Sequence, residues 1–232
     1  MALEVDDPQR DADTLWRTYV EWLSEHVPPA AALLNPPASD AAIADLERLI
    51  GHELPESVKA GWRLHDGQTC ENDLGAAFGF WWLPVAEVAE QWSNWEDMRR
   101  TQTEEFFENL DVAQRSYPPK AIQRQYTSPG WIPLLRWPFD GDYVGLDFDP
   151  GPAGKPGQVI NFGRDQEEKF VIADEFATLV AWLVQEARED RVSTGTADDE
   201  NENENEDERD LFEHADGILV NALRDASGAE FD

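Results

Sequence analysis

The chain has 232 residues, of which 49 are acidic and 18 basic, and its formal net charge at pH 7 is −31. A charge of this sign repels nucleic acid and anionic membrane surfaces, and it attracts basic partners. Cys70 is the only cysteine, which excludes an internal disulfide and a zinc site of the usual Cys/His spacing, and no apolar run approaches the ~20 residues that a bilayer span requires.

The N-terminal part of the chain predicts a helix and a stiff connector. The segment MALEVDDPQRDADTLW lacks the basic and apolar regions of a secretory signal, so we expect a cytoplasmic protein. From Asp13, apolar residues recur at helical spacing, namely Leu15, Tyr19, Trp22 and Leu23. Prolines at positions 28, 29, 36 and 37 follow. Residues 1–38 are therefore predicted to form a helical extension.

Two further helices are predicted before residue 70. Ser39 or Asp40 can cap the first, whose inward face carries Ile43, Leu46 and Ile50. The second lies in LPESVKAGWRLHDG, where Pro55 suits the first helical position and Gly67 suits a left-handed helix end.

The middle of the chain is harder to assign. The run FGFWWLP at 78–84 predicts a short strand that ends at a proline, and a helix pattern follows with Val85, Val88, Trp92 and Trp95. The segment 101–128 has a mixed pattern and is interpreted as an insertion.

Four strands separated by turn residues follow: WIPLL (131–135), DYVGLDF (142–148), GQVINF (157–162) and KFVIA (169–173). Such a series is typical of an antiparallel meander. The next segment, EFATLVAWLVQEA, has the apolar stripe of a core-facing helix. The predicted fold class is α+β, with a central, mostly antiparallel sheet and helices packed around it.

The composition changes abruptly after residue 188. Residues 189–210 contain the run TADDENENENEDERD, which is acidic and almost devoid of apolar side chains, so we expect a disordered linker. Residues 211–232 form an amphipathic segment with Leu211, Phe212, Ile218, Leu219 and Leu223, which we expect to be helical and to dock on the domain.

The stretch FDGDYVGLDFD at 139–149 carries aspartates at 140, 142, 147 and 149. A calcium hand starting at Asp140 would need oxygen ligands where Val144 and Gly151 stand, so that motif fails. As a strand, the stretch would direct Tyr143, Asp147 and Asp149 to one face. We expect this face to be exposed and acidic, and able to contact a basic partner.

No catalytic constellation stands out. The four histidines lie apart from any nucleophilic serine or cysteine, and Glu71 and Asp73 next to Cys70 would raise the pKa of its thiol. The many carboxylates leave a glycosidase-like pair open, but nothing selects two of them. Neighbouring Trp81 and Trp82 must point to opposite faces of a strand, so one should lie in the core while the other could anchor a partner.

Several of these segments together resemble signatures of the SUKH superfamily. The first comprises Leu54, Pro55, Trp62, Leu64, Asp66 and Gly67. The second comprises Trp131, Ile132, Pro133, Gly141, Asp147, Gly157, Val159 and Ile160, and a closing helix spans 174–187. The resemblance covers residues 39–188. It implies an α+β domain that binds proteins, with no catalysis and no cofactor, as in bacterial immunity proteins and fungal cell-wall assembly regulators.

We therefore predict a non-catalytic immunity protein that neutralises a basic toxin domain, without metal, nucleic acid or membrane binding. The alternative is an intracellular regulatory or scaffold protein related to the cell-wall regulators. The predicted partner-binding residues are Trp81, Trp82, Tyr143, Asp147 and Asp149.

Overall fold

The computed structural model describes residues 3, 11–70, 74–139, 141–197, 209–215 and 218–231. The helices are α1 (Ala12–His26), α2 (Pro28–Ala31), α3 (Asp40–Ile50), α4 (Glu56–Leu64), α5 (Val85–Thr101), α6 (Glu104–Asp111), α7 (Phe176–Arg188) and α8 (Leu219–Ser227). The strands are β1 (Trp81–Trp82), β2 (Arg115–Tyr117), β3 (Trp131–Arg136), β4 (Asp142–Asp147), β5 (Gln158–Gly163), β6 (Glu168–Ala173), β7 (Val192–Ala197) and β8 (Arg209–His214).

The main sheet has the strand order β1-β3-β4-β5-β6-β2. All neighbours pair antiparallel except β2, which runs parallel to β6. The α+β class and the antiparallel meander predicted from the sequence are confirmed. The edge strand β2 comes from the unassigned segment 101–128, which also contains α6.

The face of β4 that carries Tyr143 and Asp147 is covered by other parts of the chain. This contradicts the exposed acidic face that the sequence predicted. Every residue of β4 is buried. The hydroxyl of Tyr143 donates to Gln91 Oε1 of α5 at 2.7 Å, which places α5 over one end of this face. At the other end, the amide of Gln158 donates to the carbonyl of Ala121 at 3.0 Å. The segment that the sequence pattern could not assign therefore helps to bury these side chains.

Helix α1, in the predicted N-terminal extension, packs into the same core. The indole Nε1 of Trp16 donates to the carbonyl of Ser57 in α4 at 2.8 Å, and its ring stacks on Trp82 with centroids 4.2 Å apart. A side chain at Gly61 would meet the Trp16 ring, since a Cβ at that position would lie 2.6 Å from it. The close approach of α1 and α4 thus requires glycine at this position.

The Asp-Gly pair after α4 starts the next helix. Asp66 Oδ1 accepts the backbone N–H of Val85, the first residue of α5, at 2.8 Å. Pro84, which precedes α5, offers no side-chain cap of its own. Gly67 has φ +57°, and a Cβ there would lie 2.4 Å from the carbonyl oxygen of Trp82. Both residues of this pair in the sequence signature therefore have a structural role: Asp66 caps α5, and Gly67 leaves room for the carbonyl of Trp82.

The C-terminal part departs from its predictions. Strands β7 and β8 pair antiparallel, and residues 192–197 and 209–210 of this pair belong to the predicted disordered linker. The disorder predicted for these residues is therefore wrong. Residues 198–208 of the linker lie outside the described part of the chain. Residues 211–214 belong to β8, and the predicted helix begins only at Leu219. Phe212, Leu219 and Leu223 are buried, so the segment docks on the domain.

Among the described residues, no helix is both long enough and apolar enough to cross a membrane.

Candidate functional site

Asp147 and Asp149 lie in a hydrogen-bond cluster and do not form a free acidic surface. Asp147 has no solvent exposure, and its carboxylate accepts from Trp131 Nε1 at 3.1 Å, from Gln158 Nε2 at 2.9 Å and from the N–H of Asp149 at 2.9 Å. Burial raises the pKa of Asp147 to about 6 despite these donors. Asp149 is half-buried and accepts from Gln123 at 2.7 Å and from Ser128 at 2.9 Å. Asp149 thus holds the 101–128 segment on the sheet, while Asp147 joins the start of β3 to β5 and to the end of β4.

The tryptophan pair divides as the strand geometry requires. Trp82 is buried and stacks on Trp16, so it cannot anchor a partner. Trp81 is half-buried, and the guanidinium of Arg136 lies 5.4 Å from the centroid of its ring. Arg136 is the strand partner of both Trp81 and Tyr143, so these two predicted site residues flank the same arginine. The other three predicted site residues are not strand partners of Arg136.

A cleft of about 380 Å³ opens between α5 and the turn that joins β3 to β4. One wall is a face of α5, formed by Gln91, Asn94, Trp95 and Met98. These residues recur at intervals of three and four, which puts them on one side of a helix. We call this space the α5 cleft.

The opposite wall of the α5 cleft comes from the β3–β4 hairpin, and two further side chains close its ends. The hairpin contributes Arg136, Phe139, Gly141 and Tyr143, and the ends carry Tyr126 and Arg164. Tyr126 packs edge-on against Trp95 with centroids 5.7 Å apart. Tyr143 is almost fully buried, so it shapes the floor and offers little contact area.

The described lining of the α5 cleft differs in charged residues from the chain as a whole. None of its described lining residues is acidic, whereas two are arginines. Arg136 Nη1 lies 3.8 Å from Glu87 Oε1, and Arg164 Nε lies 3.2 Å from Asp165 Oδ2. The Nε of Arg136 is buried and has no hydrogen-bond partner among the described residues. The Arg136 side chain as a whole is 25% exposed, so its terminal N–H groups can donate to an anionic group.

Two further reactive groups in the described part of the chain, the thiol of Cys70 and the ammonium of Lys169, have shifted pKa values. In the described part of the chain, no three His, Cys, Asp or Glu side chains could jointly hold a metal ion. Burial, and next the charge of Glu87, raise the pKa of Cys70 to about 12, which keeps the thiol protonated. Burial lowers the pKa of Lys169 to about 8, but its Nζ is enclosed and donates to Gln114 and, at 2.7 Å, to the carbonyl of Gln166.

The residues that matter most in the α5 cleft were missed at the level of sequence. Arg136, Phe139 and Arg164 lie in turns or at strand ends, where the pattern carries no periodic signal. A signal did exist on α5, since Gln91, Asn94, Trp95 and Met98 form a mixed polar and apolar stripe. Of these, the sequence pattern singled out only Trp95, as a core residue.

Known proteins resemble this chain over most of its length. Residues 37–182 match the family described as SMI1 / KNR4 (SUKH-1). The "Cell wall biosynthesis/cell cycle regulator smi1" of Schizosaccharomyces pombe is 35% identical over 187 residues, which cover 74% of this chain and 37% of the relative. The "Cell wall assembly regulator SMI1" of Saccharomyces cerevisiae is 30% identical over 199 residues, covering 74% and 39%.

A third relative is the "Glucan synthesis regulatory protein" of Neurospora crassa, which is 27% identical over 199 residues, covering 74% of this chain and 37% of the relative. The chain thus spans less than two fifths of the length of these three curated relatives.

Proposed function

Because the chain belongs to the SMI1 / KNR4 family (SUKH-1), we propose that it is a non-catalytic, protein-binding module of a cytoplasmic regulator of cell-wall assembly. The observation that carries this proposal is the similarity to three fungal proteins named as regulators of the cell wall or of glucan synthesis. They favour the regulatory alternative over the immunity protein that the sequence predicted first.

The α5 cleft supports a binding role. It combines tryptophan, tyrosine and arginine side chains, the three types that most often dominate the energy of protein interfaces. Phe139 at its rim is 54% exposed, so it presents apolar surface next to the aromatic side chains of the cleft. A partner segment that covers Phe139 and Trp95 would remove apolar surface from water.

The proposal can be tested by exchanging segments with a relative. In the Schizosaccharomyces pombe regulator, the aligned segment is replaced by this chain, and the incorporation of labelled glucose into wall polysaccharide is measured. We expect the chimera to behave like the intact regulator and a version without the segment to behave like a deletion. A chimera that accumulates to normal levels yet matches the deletion contradicts the proposal.

The net charge of −31 is the observation that favours an immunity role, since an acidic inhibitor is steered towards a basic toxin. The same charge also serves solubility. A toxin inhibitor has no reason to replace a regulatory segment, so the chimera separates the two candidates.

A further inference from the structure

We propose that the α5 cleft binds an acidic peptide segment, with a carboxylate side chain at Arg136 and Arg164 and a neighbouring apolar side chain against Trp95 and Phe139. This inference rests on the proposed function and adds the chemistry of the partner. It reverses, for this surface, the basic partner that the net charge predicted.

The first support is the contrast between the α5 cleft and the rest of the molecule. Acidic side chains outnumber basic ones 49 to 18 in the chain, yet the described lining has two arginines and no carboxylate. A site for a cationic ligand would carry the opposite lining. Because an acidic ligand is repelled by most of this protein, a local cationic patch is where it can bind.

The second support is the state of the Arg136 guanidinium. It has five N–H donors, and its ion pair with Glu87 is long, at 3.8 Å. Its Nε–H is removed from water without an acceptor among the described residues, which is an unfavourable state for a charged donor. The side chain as a whole is still 25% exposed, so a carboxylate can pair in the bidentate geometry with its terminal N–H groups.

The third support is the position of the second arginine. Arg164 lies in the turn after β5, and its side chain is 69% exposed. Its ion pair with the adjacent Asp165 is an exposed contact of the kind that contributes little to stability. Arg164 is therefore able to turn towards a ligand that Arg136 already holds.

The fourth support is the apolar surface beside the two cations. Trp95 and Tyr126 form an edge-to-face pair, and Phe139 packs edge-on against Trp137 at 5.3 Å while remaining more than half exposed. The side-chain amide of Asn94 lies on the α5 wall and can bond to a peptide backbone, whereas the amide of Gln91 is already bonded to Tyr143 and Glu87. A volume of about 380 Å³ accommodates one or two side chains of a peptide.

The experiment begins with a selection that does not presuppose the site. A random peptide library displayed on phage is selected against the full chain, and the best peptide is synthesised with its Asp and Glu residues and again with Asn and Gln in their place. Dissociation constants are measured for the wild type, Arg136→Gln, Arg164→Gln and the control Arg48→Gln. Arg48 is an exposed arginine of α3 paired with Asp45, so the control removes the same charge elsewhere.

We expect selected peptides to combine Asp or Glu with an aromatic or aliphatic residue. Losing a charge-assisted hydrogen bond should weaken binding about tenfold or more in Arg136→Gln, in Arg164→Gln and with the amide peptide, while Arg48→Gln binds as the wild type does. Arg164 is exposed, so its replacement tests the proposal even if Arg136→Gln fails to fold. Basic consensus peptides, or equal binding by the Arg164→Gln and Arg48→Gln variants, would overturn it.

The outcome is separate from that of the segment exchange. A chimera that remains active with Arg136→Gln and Arg164→Gln removes the acidic-peptide site and leaves the regulatory function standing. If the wild-type chimera is inactive but the chain binds the peptide tightly and through its arginines, the regulatory function is contradicted and the acidic-peptide site stands.

Discussion

The carboxylate of Asp147 accepts a hydrogen bond from the indole Nε1 of Trp131 at 3.1 Å, in a site with no exposure to solvent. The two residues face each other across β3 and β4, where Trp131 pairs with Asp147. Both belong to the sequence signature that suggested the family. In this chain the signature aspartate therefore organises the interior and offers no surface to a partner.

Replacing Asp147 by Asn should remove a pH dependence of stability. The carboxyl has a pKa of about 6 in the folded protein against 3.8 as the ordinary value. Between these pH values the folded protein retains a proton that the unfolded chain has released, so stability falls as pH rises. The stabilisation is fully present below pH 3.8 and is lost by pH 6; it amounts to about 3 kcal/mol at most.

The measurement is the free energy of unfolding of the wild type and of Asp147→Asn from pH 3.5 to 7, by urea denaturation. The variant loses some stability at all pH values. If its amide nitrogen takes the place of Oδ2, it cannot accept the hydrogen bond that Gln158 Nε2 donates to the carboxylate. The difference between the two proteins should nevertheless change across the window. A difference that stays constant from pH 4 to 6 would show that the carboxyl keeps an ordinary pKa.

Asp66 should act as the cap of a helix that begins nineteen residues later, at Val85. Asp66→Ala leaves the first N–H of α5 without its acceptor and should lower the free energy of unfolding by about 1 kcal/mol, within the usual range for caps. Asp66→Asn keeps a side-chain oxygen and should lose clearly less. Equal losses in the two variants, measured by urea denaturation, would mean that the oxygen does not matter.

Glu186 should hold the C-terminal strand on the domain. Its carboxylate contacts His214 Nε2 of β8 at 2.8 Å and Arg191 Nη2 at 2.9 Å, and Glu186 and His214 are both buried. Glu186→Ala removes a buried hydrogen-bond partner of His214, and the loss of such a partner typically lowers stability by about 1–3 kcal/mol. Amide hydrogen exchange should become faster in residues 209–214.

The matched control for Glu186 is Glu189→Ala. Glu189 also contacts Arg191 Nη2, at 2.5 Å, but its side chain is 46% exposed. An exposed pair contributes about 0.5 kcal/mol or less, so this variant should leave both stability and exchange nearly unchanged. If the two variants behave alike, burial is not what gives the Glu186 cluster its strength.

Elements with local signals were predictable from the sequence. Ser39 caps α3 by accepting the N–H of Ala42, and Gly51 ends it in the left-handed conformation. The four strands from 131 to 173 alternate with turns, so their antiparallel order followed from short connections. In each case the determining residues lie within a few positions of the structure that they specify.

Long-range packing was not predictable in the same way. β2 pairs in parallel with β6, and its partner for Arg115 is Glu168, far along the chain. No local pattern encodes such a pairing, so the cover that the 101–128 segment gives to β4 was missed and Asp147 was placed on the surface. The α5 cleft was missed for the same reason, since Arg136 and Arg164 come to line one cleft only once the sheet has formed.

The most direct measurement of the central claim is amide hydrogen exchange of the full chain with and without the peptide selected against it. Because that selection makes no reference to a site, the protected residues report where a partner segment docks. We expect slower exchange in 91–98 of α5 and in 136–143 of the hairpin, with 104–111 of α6 unchanged. Protection elsewhere, with 91–98 and 136–143 exchanging at the rates of the free protein, would contradict the assignment of the α5 cleft as the binding site.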